Sequence, residues 1–512
     1  MSNSENKSSE GRTQKVQTVI VREQRYKLNI LGRTTAILAI VALFAGCGNR
    51  TNVDVYDVEN YPVAEISEGL TQAAQTFSEV YEFHDSLAIV KGGLSCYGVI
   101  DREGNLVIPC EYTELERCGK VFYACQFKNC WGIIDRNGKE LVPCRYEKDD
   151  VTIFPEDEII RCLDRGGYYF IDFNGEKLFN KGLEHFNVDI IAFHEGLSSA
   201  LLSKSSDLLY GFVDKTGKTV ISPRFDDPAI FFNGIAMVNI RDDWQNRYTA
   251  FIDKQGNEIM KVVEKGNLKG VVDASGKEVI PCKFKSIDCY DSGYLLTTGM
   301  NKMQGIWSIK DRKEIAAPMY EILPDDNNVL GCKTFVKDNS VIIVKKDGKY
   351  GAINIDGKEI VPCVYEYVQV EKGVIEVTQG MGLFNSKKGV YDFDGNELLK
   401  CEYYLVNIDE NSIISDKIKD DISSKQTFLY DHKGNLIIKV GALGEIRHFS
   451  EGMAAVKKEK NKGFGFYDYD GDEVIEPRYE DAKTFSEGLA PVKLNGKWGY
   501  VNRKGVDTFG NK

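Results

Sequence analysis

Apolar and polar positions alternate in short runs along most of this chain, and the runs recur in one context. In FSEGLAPV, from Phe485, the segment Leu-Ala-x-Val sends successive side chains to opposite faces and predicts a strand. The segment that follows, KLNGKWGYVNRKG (493–505), predicts two turns around a second strand. Asn495-Gly496 suits a two-residue type I′ hairpin turn, because both central residues need positive φ. In the second turn Asn502 can hydrogen-bond the turn backbone, and Gly505 supplies the left-handed residue. Elsewhere the pattern continues into Ile-Pro or Val-Pro, with Tyr or Phe two or three residues later. Pro lacks an N–H for the ladder, so the third strand is expected to end there.

The same pattern returns along the chain. It reads YGVIDREGNLVIP from Tyr97, WGIIDRNGKELVP from Trp131 and YGFVDKTGKTVISP from Tyr210. Further copies are KGVVDASGKEVIP from Lys269, YGAINIDGKEIVP from Tyr350 and FGFYDYDGDEVIEP from Phe464, and the last begins at Trp498. Weaker copies bring the number to about twelve. The residue before the second turn makes the period countable: Asp101, Asp135, Asp172, Asp214, Asp253, Asp273, Ser308, Asn354, Asp392, Asp431, Asp468 and Asn502. All intervals lie between 34 and 46 residues except the 20 from Asp253 to Asp273. That short interval marks 260–266 as a candidate boundary between two lobes.

A unit of about three short antiparallel strands cannot bury its aromatic face alone, so copies must stack. The repeated pairs are Tyr97-Gly98, Trp131-Gly132, Tyr210-Gly211, Tyr350-Gly351, Phe464-Gly465 and Trp498-Gly499. Each aromatic is expected in the repeat interior, and each Gly where a neighbouring backbone or ring approaches closely. On these motifs residues 81–512 resemble the WG-repeat (KWG-repeat) proteins of bacteria. The resemblance implies an all-β scaffold and no particular reaction. An open, twisted solenoid is preferred here over propeller-like closure, which would recruit the segment 52–66 to complete the last unit.

The amino terminus differs in pattern. A polar stretch with a basic excess ends at Arg33, and TTAILAIVALFAG leads to Cys47. The apolar run is too short to span a bilayer comfortably and has the length of a signal-peptide core. The ending Leu43-Phe44-Ala45-Gly46-Cys47 resembles a bacterial lipobox, which implies a signal peptide over 1–46, lipidation at Cys47 and a tether over 47–80. A signal anchor is the alternative. Residues 1–46 hold seven Lys/Arg and three Asp/Glu of a chain with net charge −12, leaving a body of −16. An acidic body argues against nucleic acid as a partner.

Candidate chemistry is sparse. Of thirteen cysteines, Cys110, Cys144, Cys282, Cys363 and Cys401 share one slot after or near the Pro, as a small buried residue would. Buried thiols and one or more disulfides are both compatible with that placement. Of five histidines, His84, His194 and His432 sit in repeat slots, with no evident nucleophile or metal beside them. The acidic turns DFDGNE (392–397) and DYDGDE (468–473) lack EF-hand spacing. Glu195, Glu451 and Glu487 recur in one slot, which suits structure or a multivalent surface more than a single catalytic acid. No catalytic residue, cofactor or metal site is expected. The non-repeating stretches 241–248, 323–329 and 416–426 are the better ligand candidates. The reading is a lipid-anchored cell-envelope module that binds or scaffolds a protein or glycan. An envelope hydrolase acting on cell-wall or glycan material is the alternative.

Overall fold

The computed structural model describes residue 61 and residues 63–510, apart from 94–95, 128, 156, 165–166, 179–192, 202–208, 242–246, 291–293, 322–340, 381, 383–384 and 419–423. Residues 1–46, Cys47 and most of the expected tether lie outside the described residues. What is described is almost entirely β, with one α-helix, Glu68–Ala74. Among the described residues no helix is long and apolar enough to cross a membrane.

The strands form antiparallel meanders of consecutive neighbours. The first is Glu79–His84, Leu87–Lys91, Tyr97–Asp101 and Leu106–Tyr112, each paired with the next. Six of the ten sheets among the described residues thus hold four strands where the repeat motif predicts three. The added strand comes from residues just after the terminal Tyr, as in Glu114–Cys118 and Tyr367–Glu371. These segments share alternation and little else.

The hairpin turns form as their residues dictate. Asn495 and Gly496 have φ of 51° and 75°, and Leu494 faces Lys497 across the two-residue turn. In the second turn the Asp135 N–H donates to the Lys139 carbonyl at 2.9 Å, and Gly138 N–H to the Asp135 carbonyl at 3.0 Å. The carboxylate Oδ1 of Asp135 accepts the N–H groups of Asn137 and Lys139, both at 2.8 Å. Asp101, Asp253, Asn354 and Asp392 do the same at their own turns. At Ser308 the hydroxyl instead accepts from the Asp311 N–H and bonds its carboxylate.

Proline does not end the last strand. Pro109 lies inside Leu106–Tyr112, where the register jumps from Val99↔Ile108 to Tyr97↔Tyr112. Two residues of one strand there span four of the other, and the bulge needs no ladder N–H from Pro109. The bulge also explains the aromatic-Gly pairs at Gly98, Gly132, Gly351 and Gly465. A Cβ on Gly351 would stand 2.6 Å from the Val361 carbonyl oxygen and 2.8 Å from the Cys363 sulfur, so only Gly admits the bulged strand.

The short repeat interval also has a structural cause. Glu258–Lys265 pairs with Arg247–Asp253 on one side and with Leu268–Asp273 on the other. One strand closes one hairpin and opens the next, so the 20-residue interval is a shared strand. The sheet runs unbroken through 260–266, in eight strands from Leu197–Leu201 to Glu278–Phe284, and no gap between lobes falls there.

The core lies between sheets. Val99, Ile108 and Tyr112 of one unit pack with Leu115, Phe122 and Ile134 of the next. Similar clusters follow from unit to unit, as in Ile414 and Leu429 with Phe449 and Val456. Among the described residues no sheet closes on itself as a barrel, and they form an array of antiparallel sheets. The choice between an open array and a ring concerns the two ends, and these are in contact. Leu489, Trp498 and Tyr500 pack with Leu70, Ala74, Val80, Phe83, Ala88 and Val90 in one cluster.

Candidate functional site

A meander places its first and third turns at one edge and its second turn at the other. At the first edge the Glu-Gly dipeptide of F-x-E-G-L is itself a two-residue turn: Glu451 and Gly452 have φ of 51° and 78°, Glu487 and Gly488 of 53° and 81°. These turns touch from unit to unit. Glu195 accepts the Gly234 N–H at 2.9 Å, and Glu451 accepts the Gly488 N–H at 2.8 Å. Lys254 adds bonds to the Glu195 carbonyl and carboxylate at 3.1 and 3.0 Å. Burial alone would push the Glu195 carboxyl up, but the Lys254 and Gly234 donors hold it below the ordinary range. Glu451 is more enclosed, and burial pushes it up.

The same contact joins the last unit to the first. Glu487 accepts the Ser86 N–H at 3.2 Å, with Asp85-Ser86 in the slot that Glu-Gly fills elsewhere. Arg102 donates to the Glu487 carbonyl at 2.6 Å and to its carboxylate at 2.8 Å. Lys483 bridges to Glu79 at 2.9 Å, and the Tyr500 hydroxyl donates to the Tyr81 carbonyl at 2.9 Å. Asn502 donates to the Ala64 carbonyl at 3.1 Å, and Gln75 to that of Thr508 at 2.7 Å. Sequence reasoning singled out the recurring Glu but missed what it binds; recurrence in one slot was the available signal.

The aromatic-Gly pairs fall as follows. Trp131, Phe464 and Trp498 are buried, and Tyr97, Tyr210 and Tyr350 are half-buried. Gly98, Gly132, Gly211, Gly351, Gly465 and Gly499 are all buried. The ring faces carry cations: Lys91 over Tyr97 at 5.2 Å, Lys148 over Trp131 at 4.3 Å, and Lys345 over Tyr350 at 5.5 Å. Lys457 covers Phe464 at 5.6 Å, and Lys483 covers Trp498 at 5.2 Å. Lys91 and Lys345 come from the neighbouring strand, directly across the pairing. A ring face covered in this way does not offer itself to a sugar.

The described histidines are structural in placement. His194 lies 5.6 Å from the Phe232 ring, and burial with the nearby Arg117 lowers His84. His448 Nδ1 meets the Ser412 hydroxyl at 3.0 Å, and that oxygen also accepts the Phe449 N–H at 3.1 Å. Burial pushes His448 down to about 4. Ser412 is fully buried, so this Ser–His contact has no approach for a substrate. His185 lies outside the described residues. The acidic turns spend their oxygens locally: Asp392 and Asp468 accept N–H groups from within their own turns. Among the described residues no three His, Cys, Asp or Glu side chains converge as metal ligands.

One polar cleft of about 410 Å³ opens beside the second unit, lined by Asn129, Cys130, Arg145, Tyr146, Lys148 and Asp149 among others. Of the non-repeating stretches, 323–329 lies outside the described residues, as do 242–246 and 419–423 within the other two. The described ends of those two, at Arg241 and Arg247 and at Lys417 and Gln426, belong to second hairpin turns.

The WG-containing repeat model matches seven segments: 97–117, 131–157, 210–244, 270–297, 350–380, 428–462 and 464–498. This chain belongs to the WG-repeat family. No curated protein matches it. Among solved structures, a eukaryotic initiation factor aligns over 77% of this chain and 97% of its own, at 10% identity and a TM-score of 0.31. BamB from Moraxella catarrhalis aligns over 70% and 94%, at 10% identity and a TM-score of 0.25. The computationally designed Ika8 protein aligns over 61% and 94%, at 12% identity and a TM-score of 0.22. At these scores the likenesses carry no argument. The WG-repeat match rests on the hairpin with its Asp turn and bulge, the part of each unit described above.

Proposed function

We propose that this WG-repeat chain is a non-catalytic binding or scaffolding module of the bacterial cell envelope, anchored by lipid at Cys47, with a protein or glycan as its partner. The observation that carries the reading is the use of the recurring polar groups. Glu195, Glu451 and Glu487 serve contacts between units, and the turn carboxylates serve their own turns. A catalytic acid or base needs a group that is singular and accessible. The groups available here are repeated and engaged. Two of the stretches that break the repeat, 241–248 and 416–426, have their described ends at second hairpin turns, an arrangement in which a rigid scaffold positions variable loops.

The anchoring part rests on the lipobox-like ending at Cys47. The test is lipid labelling of the full-length protein in its own cells, beside a Cys47→Ser variant, with membrane fractionation. The expected result is label and membrane association that depend on Cys47. If the variant fractionates and is processed like the parent, the anchored reading fails.

A further inference from the structure

Two adjacent units carry a second cysteine at a fixed distance from the first. Cys96 stands just before Tyr97-Gly98, and Cys110 lies in the bulge 14 residues on. Cys130 stands just before Trp131-Gly132, and Cys144 lies in its bulge, again 14 residues on. The other bulge cysteines, Cys282, Cys363 and Cys401, have Leu268, Lys349 and Lys387 at the corresponding place. The cysteines are therefore doubled in two units and single in three.

The geometry brings the two slots together. Residues 96 and 98 share one face of their strand, as do 130 and 132. The Cys110 sulfur packs on that face, 2.8 Å from where a Cβ of Gly98 would stand. It also lies 3.2 Å from the Cβ position of Gly92, whose N–H donates to the Cys96 carbonyl at 2.7 Å. In a unit with the single cysteine, the Cys401 thiol donates to the carbonyl of Lys387, the residue in the partner slot, at 3.0 Å. In the second unit the Cys144 thiol donates to the Ala124 carbonyl at 3.3 Å, and Ala124 faces Gly132 on the same side as Cys130. Cys125 pairs with Trp131 and so points to the opposite face. Cys96, Cys110, Cys130 and Cys144 are all half-buried, within reach of a small reagent.

The geometry points to a redox-active pair in each of the first two units, Cys96 with Cys110 and Cys130 with Cys144, that closes to a disulfide and staples the second hairpin turn to the bulged strand. The reaction is thiol–disulfide exchange. One thiolate attacks an external disulfide, and the resulting mixed disulfide is resolved by the second thiolate. The protein pair loses two protons and two electrons as its S–S bond forms. The external disulfide is reduced to two thiols. Burial raises Cys110, and pushes Cys144 up to about 11, so both bulge thiols stay protonated at neutral pH until exchange begins at the half-exposed partner slot.

The test uses the intact chain, purified reduced and then exposed to oxidised glutathione, with alkylation and peptide mapping. The expected products are the cross-links 96–110 and 130–144, while Cys282, Cys363 and Cys401 remain alkylated. Alkylated Cys96 and Cys130 after oxidation would overturn the inference, as would stable glutathione adducts without cross-links or a 125–130 cross-link. A Cys96→Ser/Cys130→Ser variant provides a second readout. Oxidation should slow hydrogen exchange across 106–112 and 140–146 in the parent and leave the variant unchanged; equal slowing in both would also overturn it. Neither outcome depends on whether Cys47 is lipidated.

Discussion

The contact between the array's ends makes a prediction that an array with free ends would not share. Phe83 is fully buried, its ring 5.1 Å from that of Tyr500 and capped by Arg102 at 4.8 Å. Phe83→Ala empties that position. The change removes the transfer free energy of the ring and leaves a cavity, together about 3–5 kcal/mol. In stacked repeats such a loss is felt by the two units that share the interface. One of these is the first unit, and the other is the last, 401 residues away by chain at the Ser86–Glu487 contact. Local opening free energy should fall in both. A drop of about 3 kcal/mol corresponds to amide exchange faster by a factor on the order of 100.

The assay is hydrogen exchange with mass spectrometry on the full chain, following peptides that cover 87–101 and 489–502. Both should exchange faster in Phe83→Ala, whereas 349–379, which shares no core residue with the joint, should not. Phe449→Ala is the internal comparator. Phe449 is equally buried and stacked on Tyr469 at 4.1 Å, and its loss should loosen 413–440 and 454–467. The reasoning is refuted if Phe83→Ala loosens 87–101 and leaves 489–502 as protected as in the parent. The first unit would then be losing its own core with no contribution from the last.

Three further outcomes follow from other sites. Gly351→Ala should destabilise its unit by about 2 kcal/mol or more in denaturant unfolding, because a Cβ there meets the bulged strand, while Gly93→Ala, with open space around it, should be near neutral. Asp253→Ala should cost about 1 kcal/mol through three lost turn hydrogen bonds, and Asp253→Asn less, since Asn354 and Asn502 fill the same role; because hydrogen bonds outweigh burial and hold Asp172, Asp214 and Asp253 below the ordinary carboxylate range, their stabilisation is present above pH about 4 and is lost as pH falls through the folded values, which thermal unfolding against pH would show. His448, pushed down to about 4 by burial beside Asp409, Lys372 and His432, is protonated earlier in the unfolded chain, so stability should fall as pH drops from about 6.5 to 4, by up to about 3 kcal/mol, and His448→Gln should flatten that segment of the profile.

The hairpins were legible in the sequence because their determinants are local. An Asp that can accept two N–H groups, followed three residues later by Gly, specifies its turn without outside help, and Asn495-Gly496 does the same. The close approach at Gly98, Gly132 and Gly351 was also legible, although what approaches, a bulge around Pro and Cys, was not; at Gly499 Thr508 and Phe509 approach instead. The Pro was misplaced for that reason: without the register, a strand that continues past Pro109 in a bulge looks like a strand that stops. The added first strand escaped notice because ELERC, YVQVE and LVNI share alternation only. The shared strand Glu258–Lys265 looked like a lost half-unit because the chain shortens there while the hydrogen bonding does not. As for the candidate site, the recurrence of Glu195, Glu451 and Glu487 was visible, but the N–H groups that donate to them lie one unit away and could not be read locally.

The joint follows from the repeat itself. Glu487 meets Ser86 as Glu195 meets Gly234 and Glu451 meets Gly488, so the last unit presents to the first the surface that each unit presents to the next. Gly in the receiving slot supplies a positive φ cheaply, yet the first unit has Asp85-Ser86 there, with φ of 50° and 63°. Two non-Gly residues in that conformation cost more than Glu-Gly would, and the first unit compensates with charge. Asp85 faces Arg117 at 3.7 Å, its carbonyl accepts from Arg136 at 3.0 Å, and Arg102 holds Glu487. The joint is thereby more ionic than the internal contacts Glu451 makes, and partly exposed ion pairs weaken with salt. Raised ionic strength should therefore loosen 83–101 and 485–502 before it loosens 449–479. The described chain also enters the array here, with Ala64 held by Asn502 and the helix Glu68–Ala74 packed in the same cluster as Trp498 and Tyr500. An anchor at Cys47 would then transmit any pull on the tether to this one interface, which is more ionic than the contact at Glu451.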